Sequence, residues 1–142
     1  MTDGVHRHEH VVREDEIDGL GHANNVVYVR WMIDAATEHS AAVGWDFAAY
    51  VRIGGVWVVR RHEIEYLLPA KVGDRVSVFT WVADAKAVQT RRGYEMRLPD
   101  GRRCARGTTN WVFLEWPSGR PRRIPEEVRA AFTPIGDAPD LG

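Results

Sequence analysis

A chain of 142 residues, 44% hydrophobic and 27% charged, has the make-up of a globular fold: one domain, large enough for a substantial core and small enough that a partner subunit could finish burying it. Its net charge of −1 gives no basis for recruiting nucleic acid or an anionic membrane, and no apolar run is long enough to span a bilayer. One cysteine, Cys104, excludes an internal disulfide and fits a reducing cytoplasm, and the polar, His-rich start does not read as a signal peptide.

Val5 to Arg13 alternates loosely and predicts a strand that sets His6, His8 and His10 on one face. No cysteine or acidic cluster at ligand spacing accompanies them, so this face is read as solvated and no metal site is expected. The next stretch, Asp15 to Trp31, carries the chemistry. Asp18 sits between Ile17 and Gly19, where partial burial makes a carboxylate a better base or nucleophile. Gly19 and Gly21 permit the tight turn that brings Asp18 near His22. Asn24 is an N-cap for the helix that follows, and the unpaired N–H groups around Asn25 and Val26 form a ready site for a developing oxyanion. The structural alternative is plain: Asp and Asn before a helix are often only caps.

Val26 to about Val43 predicts the longest helix, with Val26, Val29, Ile33, Ala36, Ser40 and Val43 near one stripe and Gly44 as its stop. Tyr28 and Trp31 near its start are candidates to line a substrate entrance, with core packing as the equal alternative. Asp34 and Glu38 are read as solvated or partner-facing acids. Trp45 to Arg52 predicts a turn or half-helix. Strands follow over 56–66, ended by Pro69, then 75–84, 88–98 and 103–115, with Gly73-Asp74 and Pro99-Asp100-Gly101 as turns. Glu126 to Phe132 predicts one or two helical turns, and residues 133–142, rich in Pro, Gly and Asp, a mobile tail. The order is α+β: an antiparallel sheet wrapped around one long central helix.

The run from Asp18 through G-H-A-N-N-V-V-Y to Trp31 resembles the signature of hotdog-fold acyl-CoA thioesterases of the 4-hydroxybenzoyl-CoA thioesterase-like superfamily. It is also similar to the G-H-x-N-N-x-x-Y stretch of acyl-acyl-carrier-protein thioesterases. Tyr66-Leu67-Leu68-Pro69, Val72-Gly73-Asp74 and Arg106 to Leu114 resemble later landmarks of the same family, so the likeness covers roughly residues 5 to 130.

The resemblance implies a single hotdog domain over residues 1–132 that hydrolyses an acyl-CoA or acyl-carrier-protein thioester. It further implies a homodimer, or a tetramer built from dimers, with sites at the dimer interface. Asp18 then stands at the catalytic aspartate, attacking the carbonyl or activating water, and the Asn25 N–H holds the oxyanion. His22 polarises water or pins the loop. Asn24, Tyr28, Trp31 and Val58 would bind substrate, the acyl pocket lying between the helix start and the strand around Trp57 to Val59. No cofactor is needed, coenzyme A being part of the substrate, and no arginine pair stands out as its phosphate partner.

The chain also departs from its relatives. Plant carrier-protein enzymes have an asparagine two residues after the aspartate, where Leu20 stands here, so their Asn-His chemistry does not transfer intact. Asp18 to His22 is one residue short of the D-x-x-x-x-H spacing of hotdog hydratases, and no G-x-S-x-G elbow supports a serine hydrolase. Cys104 reads as a small core residue. A non-catalytic acyl-thioester-binding module is the remaining alternative.

Overall fold

The computed structural model describes residues 3–142. Five strands, β1 (His6–Val11), β2 (Gly55–Tyr66), β3 (Arg75–Ala85), β4 (Gln89–Arg97) and β5 (Arg103–Glu115), form one antiparallel sheet in the order β1-β3-β4-β5-β2. Three α-helices, α1 (Asn25–Ala42), α2 (Phe47–Ile53) and α3 (Glu126–Ala131), and one 3-10 turn at Glu14–Glu16 accompany it. The 18-residue α1 packs on the inner face of the sheet, which gives the hotdog fold. Among the described residues no helix is long and apolar enough to cross a membrane.

The strands follow from alternation and from the turns between them. On β3, Val76, Val78, Thr80 and Val82 are buried on the face toward α1, as period-two patterning requires. The chain closes the β4–β5 hairpin at Pro99-Asp100-Gly101, where Gly101 has φ of +89° and Asp100 Oδ1 accepts the Arg102 N–H. On β5, Gly107 admits the helix closely: a Cβ there would lie 2.7 Å from the Glu63 carbonyl oxygen and 3.1 Å from Met32 Cε. The bare backbone lets Met32 of α1 press onto the sheet.

α1 turns a different face to the sheet from the stripe of valines. Its buried residues are Tyr28, Trp31, Met32, Ala35, Ala36 and His39. Most stand one position before a residue of the expected stripe, a rotation of about 100° around the helix axis. Val26 is 74% exposed. Two aromatic rings and a methionine bury far more apolar area than β-branched side chains, so they determine which face goes in.

Nor is the histidine face of β1 solvated. It meets α1, and His6 Nε2 and His8 Nδ1 share Glu38 Oε2 at 2.8 and 3.0 Å, while the His6 ring stacks on His39. Glu38, read as solvated or partner-facing, closes this network: burial raises its pKa, but the two histidine hydrogen bonds hold it below the usual carboxylate range.

Residues 133–142, expected to be a mobile tail, contain no helix or strand and lie along the outer face of β3. Ile135 and Gly136 donate their N–H groups to Val82 and Ala83, Trp81 Nε1 donates to the Gly136 carbonyl, and Leu141 packs with Phe79, Trp81 and Ala83. The apolar residues on this face of β3 are what the stretch covers.

Candidate active site

The loop between β1 and α1 is built around Glu16. The residue is 3% exposed, yet every donor it needs is present: His10 at 2.7 Å and the Arg13 N–H at 2.8 Å on Oε1, and Trp31 Nε1 at 3.0 Å on Oε2. Burial raises its pKa, but these three hydrogen bonds outweigh that and hold the carboxyl below its ordinary value. The Glu16 carbonyl accepts the Asn24 N–H, so the same residue fixes where α1 begins. Glu16→Ala is expected to cost about 3 kcal/mol of stability, since it orphans a buried indole N–H and the His10 ring. Urea denaturation at neutral pH measures this directly.

From that anchor the chain turns sharply. Asp18 N–H donates to the His22 carbonyl at 2.8 Å, Gly21 N–H to the Asp18 carbonyl at 3.2 Å, and Gly21 takes φ of +80°. Asp18 is half-buried, and its Oδ1 accepts the N–H groups of Leu20 (2.9 Å) and His22 (3.2 Å). Oδ2 has no partner among the described residues. The carboxylate is thus oriented by the backbone through one oxygen and presents the other.

At the start of α1, Asn24 Oδ1 accepts the Val26 N–H at 3.0 Å, the cap its position predicts. That bond removes Val26 from the pair of N–H groups expected to be free, and the Val27 N–H is taken by the Asn24 carbonyl. The Asn25 N–H has no protein acceptor among the described residues, and it stands at the positive end of an 18-residue helix.

Asp18, His22, Asn24, Asn25 and Tyr28 line one open pocket together with Leu20, Ala23 and 66–69. Five of the seven candidate residues are therefore brought together. His22 is half-buried; its backbone pins the loop, and its ring makes no hydrogen bond among the described residues. Tyr28 is only 2% exposed and forms the floor, its hydroxyl accepting the Ala70 N–H at 3.3 Å. Burial pushes its pKa up, keeping it neutral.

The other two candidates lie elsewhere. Trp31 is fully buried against His10 and Tyr28 and lines no part of the pocket; three residues beyond Tyr28 it points into the sheet, where its indole serves Glu16. Val58 sits on β2, eight residues from Tyr66 and about 26 Å along the strand from the loop. It is 39% exposed. Within one chain the Asp18 pocket takes its β2 lining from the Tyr66 end of the strand, and Trp57 to Val59 are not among its lining residues.

Tyr66 is the site residue that sequence reasoning missed. Its hydroxyl donates to the Asn25 carbonyl at 2.9 Å and its ring meets Tyr28 edge-on at 5.2 Å, so it holds the first turn of α1 in place. Its signal was the Tyr66-Leu67-Leu68-Pro69 landmark, whose members all line the pocket. Cys104 is fully buried and burial pushes its pKa up to about 11; it is a neutral core thiol.

A five-stranded antiparallel sheet wrapped around one long helix defines a class of fold, and comparison with known proteins agrees. The thioesterase-like superfamily profile matches residues 12–132, and the chain belongs to that family. It is 29% identical over 132 residues to the chloroplastic acyl-acyl carrier protein thioesterase ATL2 of Arabidopsis thaliana, covering 91% of this chain and 69% of that one. In fold it is similar to a 1,4-dihydroxy-2-naphthoyl-CoA thioesterase from Synechocystis, with a TM-score of 0.83, 20% identity, and 90% and 95% of the two chains covered. It is likewise similar in fold to an acyl-ACP thioesterase from Bacteroides thetaiotaomicron, with a TM-score of 0.85, 19% identity, and 98% and 56% covered. Family and relatives together support thioesterase activity on acyl thioesters.

Proposed function

We propose that the protein hydrolyses an acyl-CoA thioester to the free acid and coenzyme A at the Asp18 pocket. One observation carries this reading: Asp18 keeps an unpartnered oxygen while its other oxygen is fixed by backbone N–H groups, in the same pocket as the free Asn25 N–H. A thioester carbonyl is electrophilic enough that one positioned carboxylate and one oxyanion donor suffice. Water attacks the carbonyl carbon as its proton passes to Asp18, or the carboxylate attacks first and water opens the resulting anhydride. The oxygen's charge is met by the Asn25 N–H and the dipole of α1, the C–S bond breaks, and the thiolate leaves and takes up a proton. Coenzyme A enters as part of the substrate and no cofactor is required. The reducing cytoplasm suits a chain whose one cysteine is unpaired.

The assembly we propose is a dimer through β2. This strand is an edge of the sheet, hydrogen-bonded on one side to β5, and at 12 residues it is twice the length of the other edge strand, β1. Antiparallel pairing of two copies about a two-fold axis sets the Val58 end of one β2 beside the Tyr66 end of the other. Val58, remote from its own pocket, then approaches its neighbour's. Pairing of dimers into a tetramer is the further step that sedimentation analysis detects.

Thiol release from a panel of short, long and aromatic acyl-CoAs and the matching acyl-carrier-protein thioesters tests the activity. Turnover of at least one acyl-CoA is expected. Turnover of carrier-protein thioesters alone moves the substrate to that class, which the ATL2 similarity favours as the second reading. Binding without any turnover would make the protein an acyl-thioester-binding module and sink the enzymatic reading.

A further inference from the structure

A second cavity, of about 240 Å³, lies at the other end of α1 and shares no lining residue with the Asp18 pocket. From Asn25 to Ser40 the helix rises about 22 Å, which measures how far apart the two are. Its walls are mainly apolar and include six aromatic side chains, Trp45, Phe47, Tyr50, Trp57, Trp111 and Phe132. Two cations line it: half-buried Arg129 on α3, whose Nη2 donates to the Lys86 carbonyl at 2.7 Å, and the more deeply buried Arg92. Arg92 on β4 is 5% exposed and lines the cavity.

The arginine lacks a counterion. Its two hydrogen bonds both leave from Nη1, to His39 Nδ1 at 2.8 Å and Thr80 Oγ1 at 3.2 Å, and the guanidinium lies over the Phe132 ring at 5.8 Å. Nε and Nη2 donate to no protein acceptor, and no carboxylate is within ion-pair distance, among the described residues. The one acid on the cavity wall, Asp46, is exposed and spends its carboxylate on the Ala49 N–H as the cap of α2. On the same wall the Trp111 Nε1–H is buried with no hydrogen-bond partner among the described residues. A buried guanidinium costs several kcal/mol unless an anion meets it, and a planar one is shaped for the two oxygens of a carboxylate. The apolar walls exclude a phosphate or another strongly hydrated ion as the whole ligand.

We propose that this cavity binds an apolar carboxylate, its ring or chain among Trp45, Trp57 and Phe132 and its carboxylate on Arg92. Such a carboxylate arrives either as a free acid, the class of compound that thioester hydrolysis releases, or as the far end of a dicarboxylic acyl group. Hydrolysis at Asp18 is not required for the binding, so the two proposals stand or fall separately.

Calorimetric titration of the Asp18→Asn protein with phenylbutyrate and with its neutral counterpart phenylbutanol tests the site. The acid is expected to bind about tenfold or more tightly than the alcohol, the margin that one charge-assisted contact confers. Arg92→Gln is expected to erase that margin, and Ala36→Leu, which fills the cavity from α1, to weaken both ligands. Equal binding of acid and alcohol, a preference that survives Arg92→Gln, or indifference to Ala36→Leu would each overturn the proposal. The last variant decides the matter if Arg92→Gln fails to fold. Displacement of bound phenylbutyrate by suberyl-CoA and not by octanoyl-CoA assigns the carboxylate to a dicarboxylic acyl group, and displacement by neither assigns it to a free acid. Displacement by both removes the need for a carboxylate and overturns the site.

Discussion

Asp18→Asn is expected to lower kcat/KM for the best acyl thioester by about a thousandfold or more, some 4 kcal/mol of transition-state stabilisation. The substitution is nearly isosteric and isolates chemistry from architecture. The asparagine side-chain oxygen still accepts from the Leu20 and His22 N–H groups, so the turn keeps the hydrogen bonds that shape it. What is lost is the negative charge on Oδ2, the one atom placed to take a proton from water or to attack the carbonyl. The loss is therefore expected in kcat, with KM and the urea midpoint nearly unchanged. Retention of more than about a tenth of wild-type turnover would show that Asp18 is only the acceptor that organises its turn, the ordinary role of Asx side chains. A collapse of the urea midpoint instead would mark it as a structural residue.

Those hydrogen bonds also show which part of the site was local in sequence. Asp18, His22, Asn24 and Asn25 lie within eight residues, and a turn and a helix cap are short-range devices, so their convergence was readable from residue types and spacing. Strands were readable for the same reason: β5 spans Arg103–Glu115 as the turn signals and alternation predict, and β2 starts one residue early, at Gly55. What escaped was decided by contacts distant in sequence. Tyr66 reaches Asn25 across 41 residues. The helix face was chosen by Tyr28, Trp31 and Met32 meeting a sheet whose partners lie far along the chain, and Glu16 set the place of Trp31. Period alone left either stripe possible, because α1 carries apolar residues nearly all round. Arg92 escaped entirely: in the chain it is one of a pair of arginines, and only the sheet reveals that Arg91 meets Asp84 and Asp137 at the surface while Arg92 turns inward.

That inward arginine has a consequence for acid stability through His39. The imidazole is 7% exposed, accepts from Arg92 Nη1 at 2.8 Å, stacks on His6 at 5.3 Å and meets Phe132 edge-on at 5.4 Å. Burial, then the positive charge of Arg92, then His6 push its pKa from 6.5 down to about 3. The unfolded chain thus takes up a proton that the folded chain refuses, and stability rises with pH through this window. The contribution is complete above pH 6.5 and is lost as pH falls toward 3, at about 1.4 kcal/mol per unit, so some 2 kcal/mol goes between pH 6.5 and 5. His62, whose pKa is also lowered by burial, adds in the same direction. Glu16 and Glu38 are held below 4.5 and act only at lower pH, where protonating them removes stability as well. Urea denaturation at pH 7, 6 and 5 measures the slope. His39→Gln keeps an acceptor for Arg92 but cannot titrate, so its stability is expected to be nearly flat over the same range, with His62 supplying the remaining slope. Parallel curves for the two proteins would mean that His39 takes up its proton in the folded state, which requires Arg92 to swing away from it. In that event the guanidinium is free to move, and phenylbutyrate would be expected to restore the slope by holding it in place.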